Sequence, residues 1–332
     1  MSRPAFSRDV LALDCAAETQ RIAERLRAIV GSFRKKGLVV ALSGGIDSSV
    51  TAALAVTALG KERVFGLHMP ERDSSPSTLE LSRSVSTRFG CESAVEDITP
   101  ILEALGCYRR RDEAIRSVVP EYGPGWRSKI VLPNLVESKA LHFYSVVVQD
   151  PHGATERRRL THDAYLGVVA ATNFKQRVRK LLEYYHADRL NFATTGTPNR
   201  LEYDQGFFVK LGDGAADVKP IAHLYKSQVY ALGAHLGVPA AILERPPTTD
   251  TYSLPQGQDE FYFSLPHDRM DLCLWAKNHG VPAEAAAPVV GLGTEQVERV
   301  YHDIDGKRHA TQYLHAAPQL VADVPEITHR LG

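Results

Sequence analysis

Apolar residues recur along this chain in two registers that keep exchanging places. Over residues 10–36, Ile22, Leu26, Ile29, Val30 and Phe33 fall on one side at helical spacing, which predicts an amphipathic helix stopped by Gly37. Residues 38–42 (LVVAL) are apolar without a break, the pattern of a short strand buried on both faces. The turn SGGIDSS then leads into a predicted helix over 47–59, a second buried strand over 64–69 and a third helix over 77–89. This alternation predicts an α/β fold, a doubly wound parallel sheet with flanking helices.

The rhythm breaks over 107–163. Prolines at 120, 124, 133 and 151, the aromatic run YGPGW and two arginine triplets (109–111 and 157–159) occur there, and HFYSVVVQ followed by DPHG predicts a hairpin. Alternation resumes with a long helix predicted over 164–185, a strand over 190–194 and a helix over 225–236. The last eighty residues read as helix and loop, with HDRMDLCLWAKNHG and TEQVERVYHDI as the clearest helices.

Composition narrows the class. Of 332 residues, 44% are hydrophobic and 23% charged, as in a folded globular protein, so a dominantly disordered chain is excluded. The 39 basic and 39 acidic side chains cancel, which argues against a chain-wide polyanion-binding surface. Cys15, Cys91, Cys107 and Cys273 are scattered with no CxxC pair, and suit a reducing compartment better than a disulfide scaffold or a zinc site. No apolar run approaches the ~20 residues of a membrane span, and the N-terminal segment lacks the apolar core of a secretion signal. A cytoplasmic protein is expected, with no membrane or nucleic-acid partner.

The first concentration of chemistry is the segment from Ser43 to Ser49. Gly44 and Gly45 let an anion approach the main chain, and the start of the following helix offers free N–H groups and the positive end of its dipole. Hydroxyls at Ser43, Ser48 and Ser49 add donors, and Asp47 is placed to hold a metal ion beside phosphates. No lysine follows the glycines, so this is not the G-x-x-x-x-G-K-[ST] loop. It resembles instead the SGGxDS loop of the ATP pyrophosphatase (PP-loop) superfamily, which cleaves ATP between its α and β phosphates.

A second stretch, TTGTPNRLEYDQGFFVKLGDGAADVKPIAHLYKSQV from Thr194 to Val229, resembles the second signature of the ammonia-dependent NAD synthetase family. Gly196-Thr197, Glu202, Phe208 with Lys210, Gly212-Asp213-Gly214, Asp217, Pro220, and Lys226 with Gln228 follow the family order. NFKQRVRKLLEYYHA, MPERDSS and RPPTTD match as well. The resemblance implies the adenine-nucleotide alpha-hydrolase-like fold. It also implies a two-step ligase that adenylates the carboxylate of deamido-NAD with ATP and amidates it with ammonia. Asp47 and Glu202 then look like the Mg²⁺ pair. Ser43, Gly44, Gly45, Asp47, Ser48, Ser49, Thr197, Lys226 and Thr248 match ATP-binding positions. Arg177, Lys210, Asp217 and Lys307 match positions that hold deamido-NAD, and Asp47, Lys210 and Asp217 are the candidate catalytic groups. The family also implies a homodimer.

Three departures stand beside the resemblance. Residues 107–163 form an insert where the family has a short segment, expected to be a lid or an interface. Gly306 stands before Lys307 where the family carries histidine. No glutaminase domain is recognisable, so ammonia is expected free or from a separate donor protein. The motifs span nearly the whole chain, and a single domain over 1–332 is expected. The alternatives weighed against this are an amide ligase acting on another small carboxylic acid, an RNA-modifying enzyme on the same loop, and a non-catalytic nucleotide sensor. The missing CxxC pair argues against thiolation of RNA, and the intact Asp47, Glu202 and Lys226 set argues against a sensor.

Overall fold

The computed structural model describes residues 6–132, 144–248, 251–322 and 324–325. After a short 3-10 turn (Arg8–Leu11), helix α1 (Cys15–Ser32) begins where Asp14 accepts hydrogen bonds from the Ala16 and Ala17 N–H groups. The helix predicted over 10–36 is therefore divided at an N-cap, the position where an aspartate serves best. Next come β1 (Leu38–Ala41), α2 (Ile46–Leu59), β2 (Val64–His68), α3 (Pro76–Phe89), β3 (Glu92–Val95) and α4 (Thr99–Ala104).

The 107–163 segment supplies α5 (Cys107–Arg116) and three strands, β4 (Arg127–Val131), β5 (Ser145–Gln149) and β6 (Thr155–Arg159). Helix α6 (His162–Leu190) follows, then β7 (Ala193–Thr194), α7 (Arg200–Gln205), α8 (Lys226–Leu236) and α9 (Ala240–Leu243). The chain closes with α10 (His267–Asn278), α11 (Ala283–Val290) and α12 (Thr294–His315).

The main sheet is parallel, in the order β3-β2-β1-β7, with Leu38 opposite both Val64 and Ala193. Leu38, Val40 and Leu42 point into a core shared with α1, α2, α3 and α8, while Val39 and Ala41 point into a second core with α4, α5 and α6. Helices thus cover both faces, and the residues of LVVAL are apolar because each faces one of two cores. Leu38, Val39 and Val40 are fully buried, and each contributes about 1.5–3 kcal/mol of burial. From β1 the chain proceeds to β2 and β3 on one side, then returns to lay β7 on the other. The strand order reverses between β1 and β7, and in such sheets ligands bind beyond the carboxyl ends at that reversal.

The β4-β5-β6 sheet is antiparallel and separate from the main one. The predicted hairpin is β5–β6. At its turn Asp150 accepts from the His152 and Ala154 N–H groups, and Gly153 adopts φ +90°. Ile130, Val146 and Val148 pack with Ile115, Leu160, Ala164 and Val168, so this sheet leans on α5 and the first half of α6.

Helix α6 runs past the predicted 164–185 and ends at Asn191, whose φ of +53° breaks it, so β7 is shorter than the strand expected over 190–194. Its periodicity misleads in a second respect. Lys175, Lys180, Glu183 and His186 are buried, while Leu181 and Tyr185 are 65% and 59% exposed.

Candidate active site

A cavity of about 1510 Å³ opens above the carboxyl ends of β1, β2 and β7. One wall is the Ser43–Ser48 loop. Gly44 has φ +73°, and a Cβ there would lie 2.8 Å from the Thr78 carbonyl oxygen, so glycine is required for the loop to lie against α3. The Ser48 hydroxyl donates to the Gly45 carbonyl at 3.0 Å, accepts from the Ser43 N–H at 3.2 Å and meets the Ser43 hydroxyl at 3.1 Å. Among the described residues no side chain caps the N-terminus of α2, which leaves its first-turn N–H groups for an anion.

At the other side of the reversal, Asn199 opens α7. Its side-chain oxygen Oδ1 accepts from the Leu201 and Glu202 N–H groups at 2.9 and 3.3 Å, and its backbone N–H donates to Glu202 Oε2 at 3.1 Å. This reciprocal capping box fixes the Glu202 carboxylate. The Asn199 amide nitrogen crosses to Asp47 Oδ1 at 3.0 Å. Lys226, at the start of α8, ion-pairs with Asp47 Oδ2. Gln258 donates to Glu202 Oε1 at 3.0 Å. The two acids therefore meet around one buried ammonium and one amide, although 155 positions of sequence separate them.

Burial, and next the neighbouring charge of Asp47, push the Glu202 carboxyl up to about 8, with Lys226 and the hydrogen bonds pulling the other way. For Lys226, burial opposes the charged form, but Asp47 and Glu202 outweigh it and raise its pKa. Behind Lys226, Asp271 accepts from the Lys226 N–H at 3.1 Å and from the Ser227 N–H at 2.7 Å, holding the first turn of α8. Burial raises the Asp271 carboxyl to about 6 against those hydrogen bonds.

Most of the residues singled out by sequence line the cavity: Ser43, Gly44, Gly45, Asp47, Ser48, Thr197, Glu202, Lys226 and Thr248, and also Arg177, Lys210 and Lys307. The Arg177 Nε donates to the Lys210 carbonyl at 3.3 Å. The Lys210 ammonium donates to the Tyr313 and Ala316 carbonyls at 2.6 and 3.1 Å, at the C-terminal end of α12. Lys307 donates to Asp303 at 2.6 Å and to the Tyr262 carbonyl at 2.5 Å, and burial lowers its pKa. Beside it, a Cβ on Gly306 would meet nothing within 4 Å, so the place of the family histidine is open space.

Two residues stand apart from the cavity lining. Ser49 is fully buried and its hydroxyl donates to the Gly45 carbonyl at 2.8 Å, inside the first turn of α2. The Asp217 carboxylate accepts from the Thr194 N–H at 2.7 Å, the Thr194 hydroxyl at 3.1 Å and the Tyr184 hydroxyl at 3.3 Å, which ties it to the end of β7. Sequence reasoning in turn missed Asn199 and Gln258. The spacing Asn199-x-x-Glu202 is a capping-box signal that marks the first; nothing local marks the second.

A phosphate-binding loop without a lysine, and a carboxylate pair at the reversal of a parallel sheet, define a nucleotide-binding protein of the PP-loop, Rossmann-like class. The sequence model of the NAD synthase family matches residues 18–119 and 133–313. The chain belongs to the NAD synthase family.

It is 62% identical over 326 residues to an NH(3)-dependent NAD(+) synthetase of Rhizobium meliloti (strain 1021), covering 98% of each chain. Over 318 residues it is 56% identical to the enzyme of the same name from Mesorhizobium japonicum, covering 96% of this chain and 100% of that one. Among solved structures, the NH3-dependent NAD synthetase of Campylobacter jejuni superposes with a TM-score of 0.61 at 21% identity, covering 93% of this chain and all of the other. The NMN synthetase of Francisella tularensis superposes equally well, at 22% identity, covering 93% of this chain and 98% of that one. At those identities the structural likeness is one of fold. No helix among the described residues is long and apolar enough to cross a membrane.

Proposed function

We propose that this protein makes NAD from deamido-NAD, ammonia and ATP, releasing AMP and pyrophosphate. The observation that carries the proposal is the meeting of Asp47 and Glu202 at Lys226, beside a glycine loop and an uncapped helix N-terminus, in a chain whose relatives are ammonia-dependent NAD synthetases.

In the first step an oxygen of the nicotinate carboxylate attacks the α-phosphorus of ATP, the bond between that phosphorus and the bridging oxygen to the β-phosphorus breaks, and pyrophosphate leaves. In the second, the ammonia nitrogen attacks the activated carboxyl carbon, AMP departs with the carboxyl oxygen, and the nitrogen gives up a proton to become the amide. The protein's share is to position the reactants and offset developing charge. The Ser43–Ser48 loop and the α2 N-terminus receive the leaving phosphates, with the Lys226 ammonium beside them. Arg177, Lys210 and Lys307 meet the anionic groups of the dinucleotide.

Asp47 and Glu202 fit Mg²⁺. Both are hard oxygen donors held by Asn199, and among the described residues no cluster of three or more candidate ligands exists. A two-carboxylate site suits a magnesium ion whose other ligands are water and phosphate oxygens. Such an ion neutralises phosphate charge.

The exposed Leu181 and Tyr185 on α6 support a homodimer built on that helix. We read the chain as one cytoplasmic domain, with the 107–163 segment as a lid or interface and ammonia arriving free or from a separate donor. The test is to incubate the purified protein with Mg·ATP, deamido-NAD and ammonium. NAD, AMP and pyrophosphate are expected in equal amounts. Pyrophosphate appearing only with a different carboxylic acid defeats the assignment of substrate.

A further inference from the structure

A second cluster of charges lies next to the cavity wall: none of its charged residues lines the cavity, but Thr251, which accepts from one of them, does. Lys175 of α6 is 1% exposed. Its ammonium donates to Glu71 Oε1 at 2.8 Å, Asp73 Oδ2 at 2.8 Å and the Thr251 carbonyl at 2.9 Å, so its three protons have three acceptors. Arg111 of α5 donates to the same Asp73 oxygen at 2.5 Å, and the Tyr108 hydroxyl donates to Glu71 Oε2 at 2.7 Å. The Arg72 guanidinium lies 3.6 Å from the centre of the Tyr108 ring. Arg72 also lies 3.8 Å from Asp73 and Asp112 2.8 Å from Arg111, so three acids and three bases balance. Although burial disfavours its charge, Asp73 stays below its ordinary pKa because of Lys175 and Arg111.

What this cluster joins gives it a role. Glu71 and Asp73 belong to the loop that leads into α3, and α3 packs against the phosphate loop, with the Thr78 carbonyl and Leu81 facing Gly44. Pro70 and Ser74, flanking the two acids, line the cavity. On the other side, Thr251 begins the segment that runs to Gln258, and Gln258 holds the Glu202 carboxylate. One ammonium therefore pins both the support of the phosphate loop and the segment that steadies a candidate metal ligand. Arg111 and Tyr108 bring the start of the 107–163 segment into the same clamp.

We propose that Lys175 is a positioning residue that holds the nucleotide side of the cavity in its binding-competent arrangement, with Glu71 and Asp73 as its counter-charges and Arg111 sharing Asp73. The inference rests on reading the Ser43–Ser48 side as the ATP side, but the experiment measures ATP binding directly and its result does not depend on NAD being formed. A loop that is correctly placed only a fraction of the time weakens the apparent affinity by that fraction.

Titration calorimetry with Mg·ATP is carried out on the wild type, Lys175→Met, Asp73→Asn and Tyr108→Phe, with thermal melts alongside. Lys175→Met should weaken Mg·ATP binding about tenfold, while the KM for deamido-NAD stays within about twofold. Asp73→Asn and Tyr108→Phe leave the Lys175–Glu71 pair in place and should weaken ATP binding by roughly two- to fourfold. Removing one partner from a buried ion pair can unfold a protein; if Lys175→Met does not fold, the two milder variants carry the same test. Variants that melt earlier yet bind Mg·ATP within about twofold of wild type would assign the cluster to stability alone and overturn the proposal.

Discussion

Replacing Asn199 separates two jobs that one side chain performs. Its oxygen caps α7 through the Leu201 and Glu202 N–H groups, and its nitrogen donates to Asp47. Serine at this position retains a capping oxygen but has no amide to reach Asp47, whereas alanine loses both functions. Loss of the cap costs about 1 kcal/mol of stability, and loss of a hydrogen bond to a carboxylate costs about 1.5–3 kcal/mol. If that second interaction serves to hold Asp47 for the transition state, Asn199→Ser should lower kcat/KM for Mg·ATP roughly ten- to hundredfold. The assay is pyrophosphate release at varied Mg·ATP, paired with urea denaturation of each variant. Alanine should match serine in kcat/KM but unfold about 1 kcal/mol more readily. A serine variant with wild-type kcat/KM would refute the claim that Asn199 orders the Asp47 carboxylate.

Three further expectations follow from single side chains. Lys210→Ala should raise the KM for deamido-NAD far more than that for ATP, because Lys210 lines the cavity beside Arg177 and the C-terminal end of α12; steady-state kinetics with each substrate varied decides it. Gly306 lies within α12 with open space at its Cβ, so Gly306→Ala should stabilise the protein by about 0.5–1 kcal/mol in denaturant titration. Burial, with the charge of Arg83, lowers the His68 imidazole from its ordinary 6.5 to about 4, so the folded protein keeps it neutral. Its contribution to stability is complete above pH 6.5 and declines as pH falls towards 4, at no more than about 1.4 kcal/mol per pH unit. Denaturation of wild type and His68→Gln across that window should show a shallower decline in the variant.

The parallel core and the phosphate loop were legible in the sequence because each rests on neighbouring residues. LVVAL followed by SGGIDSS describes strand, turn and helix start in twelve consecutive positions. Strand β3 was not, since Glu92, Ser93 and Val95 at the sheet edge are exposed or nearly so and carry no apolar run. Strand β4 was hidden by the proline- and aromatic-rich surroundings of its alternating Ser128 and Ile130, both buried. Helix α6 defeated periodicity for a physical reason: its buried face holds Lys175 and Lys180, and the carboxylates of Glu71 and Asp73 that make burial of Lys175 tolerable come from about a hundred residues upstream. The resemblance to the family named Asp217 as a substrate residue, while in the fold its carboxylate is engaged by Thr194 and Tyr184. Partnerships of this kind depend on the folded arrangement and leave no local trace.

The central claim is that the carboxylate of deamido-NAD is adenylated at the Asp47–Glu202–Lys226 site. Exchange of labelled pyrophosphate into ATP, measured without ammonium, reports that first step alone. The account predicts exchange that requires deamido-NAD and is lost in a folded Asp47→Asn variant. Exchange that proceeds without deamido-NAD, that requires some other acid, or that survives in Asp47→Asn would contradict it.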